Sequence, residues 1–596
     1  MLHNDNIIGC LFLNSMPLEK TWQLADPAPE EFLRQFSDSD KVIAQLFYNR
    51  HLQNKDAANQ FLNPDYRTGL YDPFLISDME KACGRVFLAI KKKEKIIIYG
   101  DYDADGVTSA ALLYKTLKFL GAEKLETHIP HRKSEGYGLN QKTIRRLKKE
   151  GARLIVTVDC GITNLSQVAQ AKKLGLDIII TDHHQAPARL PKAFAILNVR
   201  RSNDSYPFKD LAGVGVAFKL AQALLRKDQN NTPLSKEVFE KWLLDLVAIG
   251  TIADLAPLLD ENRTLVKYGL IILNQSKRLG LKKLYQEANL APKLNPLGTY
   301  HVGYQIAPRL NAAGRLHHGL VAYELLLTES EGEAERLAAQ LETTNRDRQK
   351  QTADVLEQAR EQIGNINEKC VLLASNPAWS SGIAGLVAGK ICDEYGKPAL
   401  IIERGDEQST GSARSVDSFN ITAAMQECAE LLIRFGGHKT AAGFTLETAK
   451  ISLFYQRLEK IARREIKAKS PKPILEIEAK LDLGKINENI FSQIEKFQPF
   501  GEGNRIPRFL TEKAEVAAIR TVGASQKHLK LKIRDLENHY FETIGFGQGE
   551  WAKKLLPGDK IDLVYELLRN EWNGEQKLEL KIIDLKIQNQ EVRIKN

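Results

Sequence analysis

Apolar residues in this chain gather in short continuous runs, and several of those runs end on acids or histidines. Ile96–Ile98 leads through Tyr99 and Gly100 to Asp101, Asp103 and Asp105. Ala152–Val158 (ARLIVTV) leads to Asp159, and Asp177–Thr181 leads to Asp182, His183 and His184. Between them, Ala110–Gly121 and the stretch Asn164–Leu174 have helical spacing and close on glycine. Continuous apolar strands alternating with helices predict α/β architecture with a parallel, doubly wound sheet covered on both faces. Ligands of such sheets bind at the carboxyl ends of the strands. That is where these acids and histidines fall.

Further along, Val247–Leu258 (VAIGTIADLAPL) sets one acid, Asp254, in an apolar segment. Glu331–Ile363 has helical spacing, is charge-rich and free of proline, and its middle, Glu342–Thr352, lacks an apolar stripe. Such a helix is expected to bridge domains. A second, smaller α/β unit follows, with strands at Lys369–Ala374 and Ala399–Glu403 around a glycine-interrupted helix at Ser380–Ile391. The segments GSARS (Gly411–Ser415) and GGHKTAAGF (Gly436–Phe444) read as glycine-rich loops suited to close phosphate approach. From about Pro471 short β runs dominate, and Asn573-Gly574 is a hairpin signal, so a small C-terminal barrel is predicted. Its lysines and aromatics (Lys527, His528, Lys530, Lys532, Tyr540, Phe541, Phe546, Trp572) suit base stacking beside backbone charge, with a basic solvent face as the alternative. The expected division is a helical extension over 1–70, a catalytic α/β domain over 71–330, a connecting helix over 331–365, a smaller α/β domain over 366–468 and a barrel over 469–596.

Composition adds bounds. At 596 residues the chain needs more than one domain, and 43% hydrophobic content is that of an ordinary globular protein. No apolar run approaches the length needed to span a bilayer, and the N-terminus has no basic lead typical of a signal peptide. Six cysteines, none in a C-x-x-C pair, fit a reducing cytoplasm and argue against a disulfide framework or structural zinc. A net charge of +9 permits a polyanionic partner without requiring one.

The chemistry concentrates at the strand ends. Several carboxylates in one small volume repel each other unless a cation sits among them, and a hard divalent ion is the simplest candidate. His183 and His184 are candidate ligands; Asp254, if buried, needs a partner that a metal site would supply. Arg309 and Asn311 in YQIAPRLNAAGR, with His131, Arg132 and Lys133 in IPHRKSEGYGL, are candidate phosphate contacts, with helix packing and surface charge as the alternatives.

With these residues in place, the chain resembles the DHH/DHHA1 phosphoesterase superfamily, in its branch that degrades single-stranded DNA. The resemblance rests on GDYDADG, VDCG, TDHH, GTIADLAPL, PRLNAAGR, GSARS, GGHKTAAGF and PFGEGN occurring in that order from about Asp72 onward. It implies a DHH domain, a long connecting helix, a DHHA1 domain and an OB-fold. It also implies two Mn²⁺ or Mg²⁺ ions, with Asp103, Asp105, Asp159, His183 and Asp254 as ligands and His184 beside them as ligand or phosphate contact. Arg132, Arg309, Asn311, Ser412, Arg414 and His438 match positions that contact DNA phosphates, and Asp101 and Asp182 fall to supporting roles. The implied activity is 5′-to-3′ hydrolysis of single-stranded DNA to 5′-mononucleotides in repair and recombination. The implied setting is a cytoplasmic monomer fed by a helicase and a single-strand-binding protein. Two alternatives remain at this point: a relative acting on short oligonucleotides or cyclic dinucleotides, and a non-catalytic single-strand-binding scaffold. The β-rich tail argues against the first, and the complete acid and histidine set against the second.

Overall fold

The computed structural model describes residues 20–230, 234–292, 294–466, 473–572 and 575–588. The N-terminal stretch over 1–19, the boundary expected near 468 and the Asn573-Gly574 turn lie outside the described residues, as does the Trp572 side chain. Contacts divide the chain into two compact units, one of residues 60–349 with 498–505, the other of residues 1–59, 350–497 and 506–596.

The first unit is built on a five-stranded sheet. Its strands are β1 (Lys95–Tyr99), β2 (Leu125–His128), β3 (Ala152–Val158), β4 (Asp177–Thr181) and β5 (Ala195–Leu197), all parallel, in the order β2-β1-β3-β4-β5. The chain leaves β1 toward β2 and then crosses to β3, so the strand order reverses beside β1. A crevice opens at such a switch point. Ile96 and Ile98 face one apolar layer and Ile97 and Tyr99 the other, as period-two alternation requires. Each fully buried isoleucine here contributes about 1.5–3 kcal/mol of transfer free energy. Helix α1 (Ala104–Phe119) starts directly after the acidic turn because Asp103 caps it, its Oδ1 accepting the Gly106 N–H at 3.0 Å. Helices α2 (Gly213–Lys227) and α3 (Leu244–Ala253) bury almost all their residues against α1. Helix α4 (Ala307–Leu316) follows a π-helical turn over Val302–Ile306.

Helix α5 (Glu331–Ile363) matches the predicted connecting helix, but its polar middle is not a solvated face. Glu342, Thr344, Asn345 and Thr352 are buried. Glu342 takes the guanidinium groups of Arg309 and Arg346, which is why a polar stripe packs where an apolar one is usual.

The second unit holds a mixed sheet of β6 (Leu372–Asn376), β7 (Ala399–Glu403), β8 (Gln408–Arg414), β9 (Leu432–His438) and β10 (Ala441–Glu447), in the order β9-β10-β8-β7-β6. Helix α6 (Ser381–Tyr395) lies on it. The sequence reading of GSARS and GGHKTAAGF as loops is corrected here, since both supply strand residues. At Gly411 the missing side chain marks close packing rather than a turn: a Cβ there would stand 2.3 Å from the Phe444 ring.

The C-terminal strands β11 (Phe509–Val522), β12 (His528–Arg534), β13 (Tyr540–Gly545), β14 (Lys560–Trp572) and β15 (Glu575–Ile587) close into a barrel in the order β11-β12-β13-β15-β14, with β14 returning to β11. This is the predicted OB-type barrel. The N-terminal residues are not purely helical. Thr21–Leu24 is a strand paired in parallel with Ile474–Ile477, and Arg50 binds Glu478 through both carboxylate oxygens. No described helix is long and apolar enough to cross a membrane.

Candidate metal centre

Each acid of the cluster is delivered by the end of a strand or helix. Asp101 and Asp103 follow β1, Asp159 follows β3, and Asp182–His184 follows β4. Asp105 lies in the first turn of α1, and Asp254 ends α3. Asp159 adopts a left-handed conformation (φ 59°), while its N–H stays bonded to Thr181 O.

The groups converge in three overlapping sets whose donor atoms lie within 4.8 Å: Asp159 with His183 and His184; Asp105 with His183 and Asp254; Asp101 with Asp103 and Asp159. Two carboxylates at that distance repel by about 3–4 kcal/mol at an effective dielectric of 20. Burial adds to this. Asp101, Asp105 and Asp159 are pushed well above the usual carboxylate range, by burial first and by neighbouring carboxylates second. Asp254 is raised to about 7 by burial and by Asp103.

The histidines differ sharply. Burial, with His184 next to it, lowers His183 to about 3, so it stays neutral and keeps a lone pair. Its Nε2 is 3.2 Å from Asp159 Oδ1, and its Nδ1 is 3.6 Å from Asp254 Oδ2. Burial acts against a charge on His184 as well, but its Nδ1 contact with Asp182 at 2.8 Å prevails and raises it to about 9. Asp182 is held below its ordinary value: burial opposes this, but the His184 ring and the backbone N–H groups of Ile162 and His184 outweigh it. Asp182 therefore orients His184, with Oδ1 taken by the His184 ring and N–H and Oδ2 by the Ile162 N–H.

The donor set fits a divalent cation. Asp101 Oδ1, Asp159 Oδ1 and His183 Nε2 are buried without hydrogen-bond partners among the described residues, a cost that an oxygen- and nitrogen-ligated ion would remove. Asp105 is aimed by the N-terminus of α2, whose Gly213 and Val214 N–H groups donate to its two oxygens at 2.7 and 2.8 Å. Gly213 was not singled out in the sequence, yet a Cβ there would meet Asp159 at 2.7 Å. Tyr137 was also missed; its hydroxyl donates to Asp159 O and reaches His184 Nδ1, both at 3.2 Å. Neither residue has a chemical signature outside its three-dimensional setting.

The phosphate candidates separate. Arg132 lies in the same unit, its guanidinium 5.0 Å from the ring centroid of Tyr102, the residue between Asp101 and Asp103. Arg309 is only 4% exposed, with Nε on Glu342 at 2.7 Å and a terminal nitrogen on Gln305 O, so its surroundings match the packing alternative. Asn311 Oδ1 accepts the Ala104 N–H at 2.7 Å and so ties α4 to the start of α1. In the other unit, Ser412 and Arg414 share one face of β8, and Ala441 pairs with both Arg414 and His438. Ser412 and Arg414 thus stand beside Gly385 of α6, and His438 follows on the same sheet, one strand further across, beyond β10.

Comparison with known proteins supplies the family. A model of the DHH family N-terminal domain matches residues 95–251, one of the DHHA1 domain matches 367–464, and one of the RecJ OB domain matches 477–584. Over 546 residues the chain is 38% identical to the single-stranded-DNA-specific exonuclease RecJ of Bacillus subtilis, covering 91% of this chain and 67% of that one. The chain belongs to the RecJ family. It is 32% identical over 536 residues to Escherichia coli RecJ, covering 85% and 90% of the two chains. The crystal structure of Thermus thermophilus RecJ in complex with Mn²⁺ superposes with a TM-score of 0.81 at 28% identity, over 95% of this chain and 79% of that one. A second RecJ structure from the same organism contains Mg²⁺.

Proposed function

We propose that this protein is a metal-dependent exonuclease that hydrolyses single-stranded DNA from the 5′ end and releases 5′-mononucleotides. The reading is carried by the convergence of Asp101, Asp103, Asp105, Asp159, His183 and Asp254 with buried, unpartnered donor atoms, in a chain of the RecJ family. We assign Asp103, Asp105, Asp159, His183 and Asp254 as the residues that hold Mn²⁺ or Mg²⁺. Such ions supply Lewis acidity and charge neutralisation at a phosphodiester.

The chain's own residues do the rest. Two backbone N–H groups fix Asp105, so it offers a preset carboxylate. His183 stays neutral across the working pH range and acts as a nitrogen donor. His184, held protonated by Asp182, presents a cation to a non-bridging phosphate oxygen. Mixed nitrogen and oxygen donors favour Mn²⁺ without excluding Mg²⁺. Arg132, presented on Tyr102, recognises the terminal phosphate of a 5′ end, and Ser412, Arg414 and His438 on the sheet of the other unit are further phosphate contacts. The barrel binds the strand by stacking and backbone charge, with Lys532 over the Tyr540 ring and Phe546 exposed.

We assign the protein to the cytoplasm as a monomer in repair and recombination, supplied with single strands by a helicase and a single-strand-binding protein. The five described cysteines are free thiols, in keeping with a reducing compartment. The test is a 5′-labelled against a 3′-labelled single strand with Mn²⁺: mononucleotide release from the 5′ end supports the assignment, and digestion from the 3′ end contradicts it.

A further inference from the structure

Residues 498–505, the PFGEGN segment, stand between the last helix before the barrel and the barrel itself. They belong to the catalytic unit, while Phe497 before them and Ile506 after them belong to the other. The strap is bound where the chain leaves Asp254. After α3 ends, Leu255 reverses the chain in a left-handed conformation (φ 55°), and residues 256–259 lead to the helix Asp260–Asn274. The Leu258 N–H donates to Glu502 O at 2.7 Å, and Thr299 Oγ1 donates to Phe500 O at 2.7 Å. Arg263, 2% exposed, donates to the carbonyls of Phe61 at 2.6 Å and Gln498 at 2.8 Å, with its guanidinium 3.8 Å from the Phe61 ring centroid. Two glycines allow the approach. A Cβ on Gly501 would meet Leu258 Cδ1 at 2.6 Å, and one on Gly503, itself at φ 72°, would meet Pro257 at 3.1 Å.

We infer that this strap is a positioning element of the metal centre, holding the 254–259 turn so that Asp254 faces His183. The inference rests on the metal-site assignment given under Proposed function. It adds that a segment lying in sequence with the DNA-binding half completes the catalytic unit. Asp254 alone among the proposed ligands sits at a helix end with a reversed exit, whereas Asp103, Asp159 and His183 are anchored directly by strands of the sheet. Its placement therefore depends on what grips the residues after it, and among the described residues the strap supplies the one backbone hydrogen bond to Leu258 from outside its own segment.

The test uses full-length protein and Mn²⁺ alone, titrated calorimetrically, with single-strand binding measured separately in EDTA. Four variants are compared: Asp254→Asn, Gly501→Val, Thr299→Val and the double change Leu258→Ala with Gly501→Val. Gly501→Val is expected to weaken Mn²⁺ binding by roughly tenfold, in the range of residues that orient a ligand. Thr299→Val, which removes one hydroxyl and little volume, should weaken it by about threefold. Both should bind single strands in EDTA as the parent does. Leu258→Ala combined with Gly501→Val should recover part of the loss by removing the atoms the valine strikes. If Gly501→Val does not fold, Thr299→Val and its EDTA control carry the test alone. Parent-like Mn²⁺ affinity in Thr299→Val and in folded Gly501→Val, with Asp254→Asn impaired, would overturn the strap while leaving the metal assignment standing. Parent-like affinity in Asp254→Asn would overturn both.

Discussion

His183 Nε2 and Asp159 Oδ1 stand 3.2 Å apart, both buried, and neither has a hydrogen-bond partner among the described residues. A buried nitrogen and a buried carboxylate oxygen left in this way define a pair that a cation would join. Asp159→Ala or Asp105→Ala is therefore expected to lower Mn²⁺-dependent turnover by roughly 100-fold or more, beyond the range of residues that only orient a ligand. The same changes relieve repulsion without opening an apolar cavity, so the fold should persist. Activity and circular dichroism measured together check this. A variant retaining most of its turnover would remove that residue from the site.

The pH dependence of metal binding follows from Asp254 and His183. Asp254 titrates near 7 in place of 3.8, because of burial and Asp103, whereas His183, lowered to about 3, stays neutral. Protons then compete with the cation at Asp254, and also at Asp105 and Asp159, whose carboxyls are raised as well, so Mn²⁺ affinity should rise with pH through neutrality. The metal-free protein follows the opposite sign. A carboxyl raised on folding contributes its stability below the unfolded value, and that contribution is lost as pH rises through the folded value. In EDTA, Tm should fall as pH rises from about 5 to 8, and the Tm gain on adding Mn²⁺ should grow over that window. An Mn²⁺ affinity flat across neutral pH would contradict this.

Arg132 and Arg309 should behave as opposites. Arg309 is buried on Glu342, and Arg309→Ala leaves that carboxylate with Arg346 but strips the buried oxygen that faced Arg309, at a cost of about 1–3 kcal/mol in stability. Arg132 lies on the Tyr102 ring, so Arg132→Ala should leave Tm nearly unchanged and raise KM more for 5′-phosphorylated than for 5′-hydroxyl strands. Thermal denaturation and kinetics on the two substrates distinguish them. An unstable Arg132→Ala or a stable Arg309→Ala would reverse these roles.

Much of this was legible along the chain, for a physical reason. Strands β3, β4 and β7 match the predicted spans because each has a continuous buried apolar centre ending at a polar residue. The acids and histidines were readable as a site because a parallel sheet brings its carboxyl ends together. What failed to read depended on contacts remote in sequence. Arg309 is indistinguishable from a phosphate ligand until Glu342 is found beside it. Gly411 resembles a loop glycine until Phe444 occupies its missing side chain. The strand Thr21–Leu24 is too short to announce itself without Ile474–Ile477 as partner. The strap over 498–505 looks like a linker until its hydrogen bonds to Leu258, Arg263 and Thr299 are seen to tie it to the catalytic unit.

That assignment alters how the barrel must be tested. Removing everything after the DHHA1 domain would delete the strap too, so point changes within the barrel are the cleaner probe. Phe546 is exposed, with His528 packed edge-on at 5.5 Å. Phe546→Ala is expected to weaken binding of long single strands by about 1–3 kcal/mol, the worth of one stacked base. Cleavage of a dinucleotide should be unaffected. Equal losses on both substrates would place Phe546 outside a strand-binding role.

On the function proposed above, the strand-end cluster hydrolyses single-stranded DNA from a 5′ end with a divalent ion. A single strand labelled at either end, followed with Mn²⁺ and with EDTA in the parent and in Asp159→Ala, tests this. Expected are labelled mononucleotide released at once from the 5′ label, ladder-like shortening with the 3′ label, and neither in EDTA or in the variant. Immediate mononucleotide release from the 3′ label, or unchanged digestion by Asp159→Ala, would contradict it.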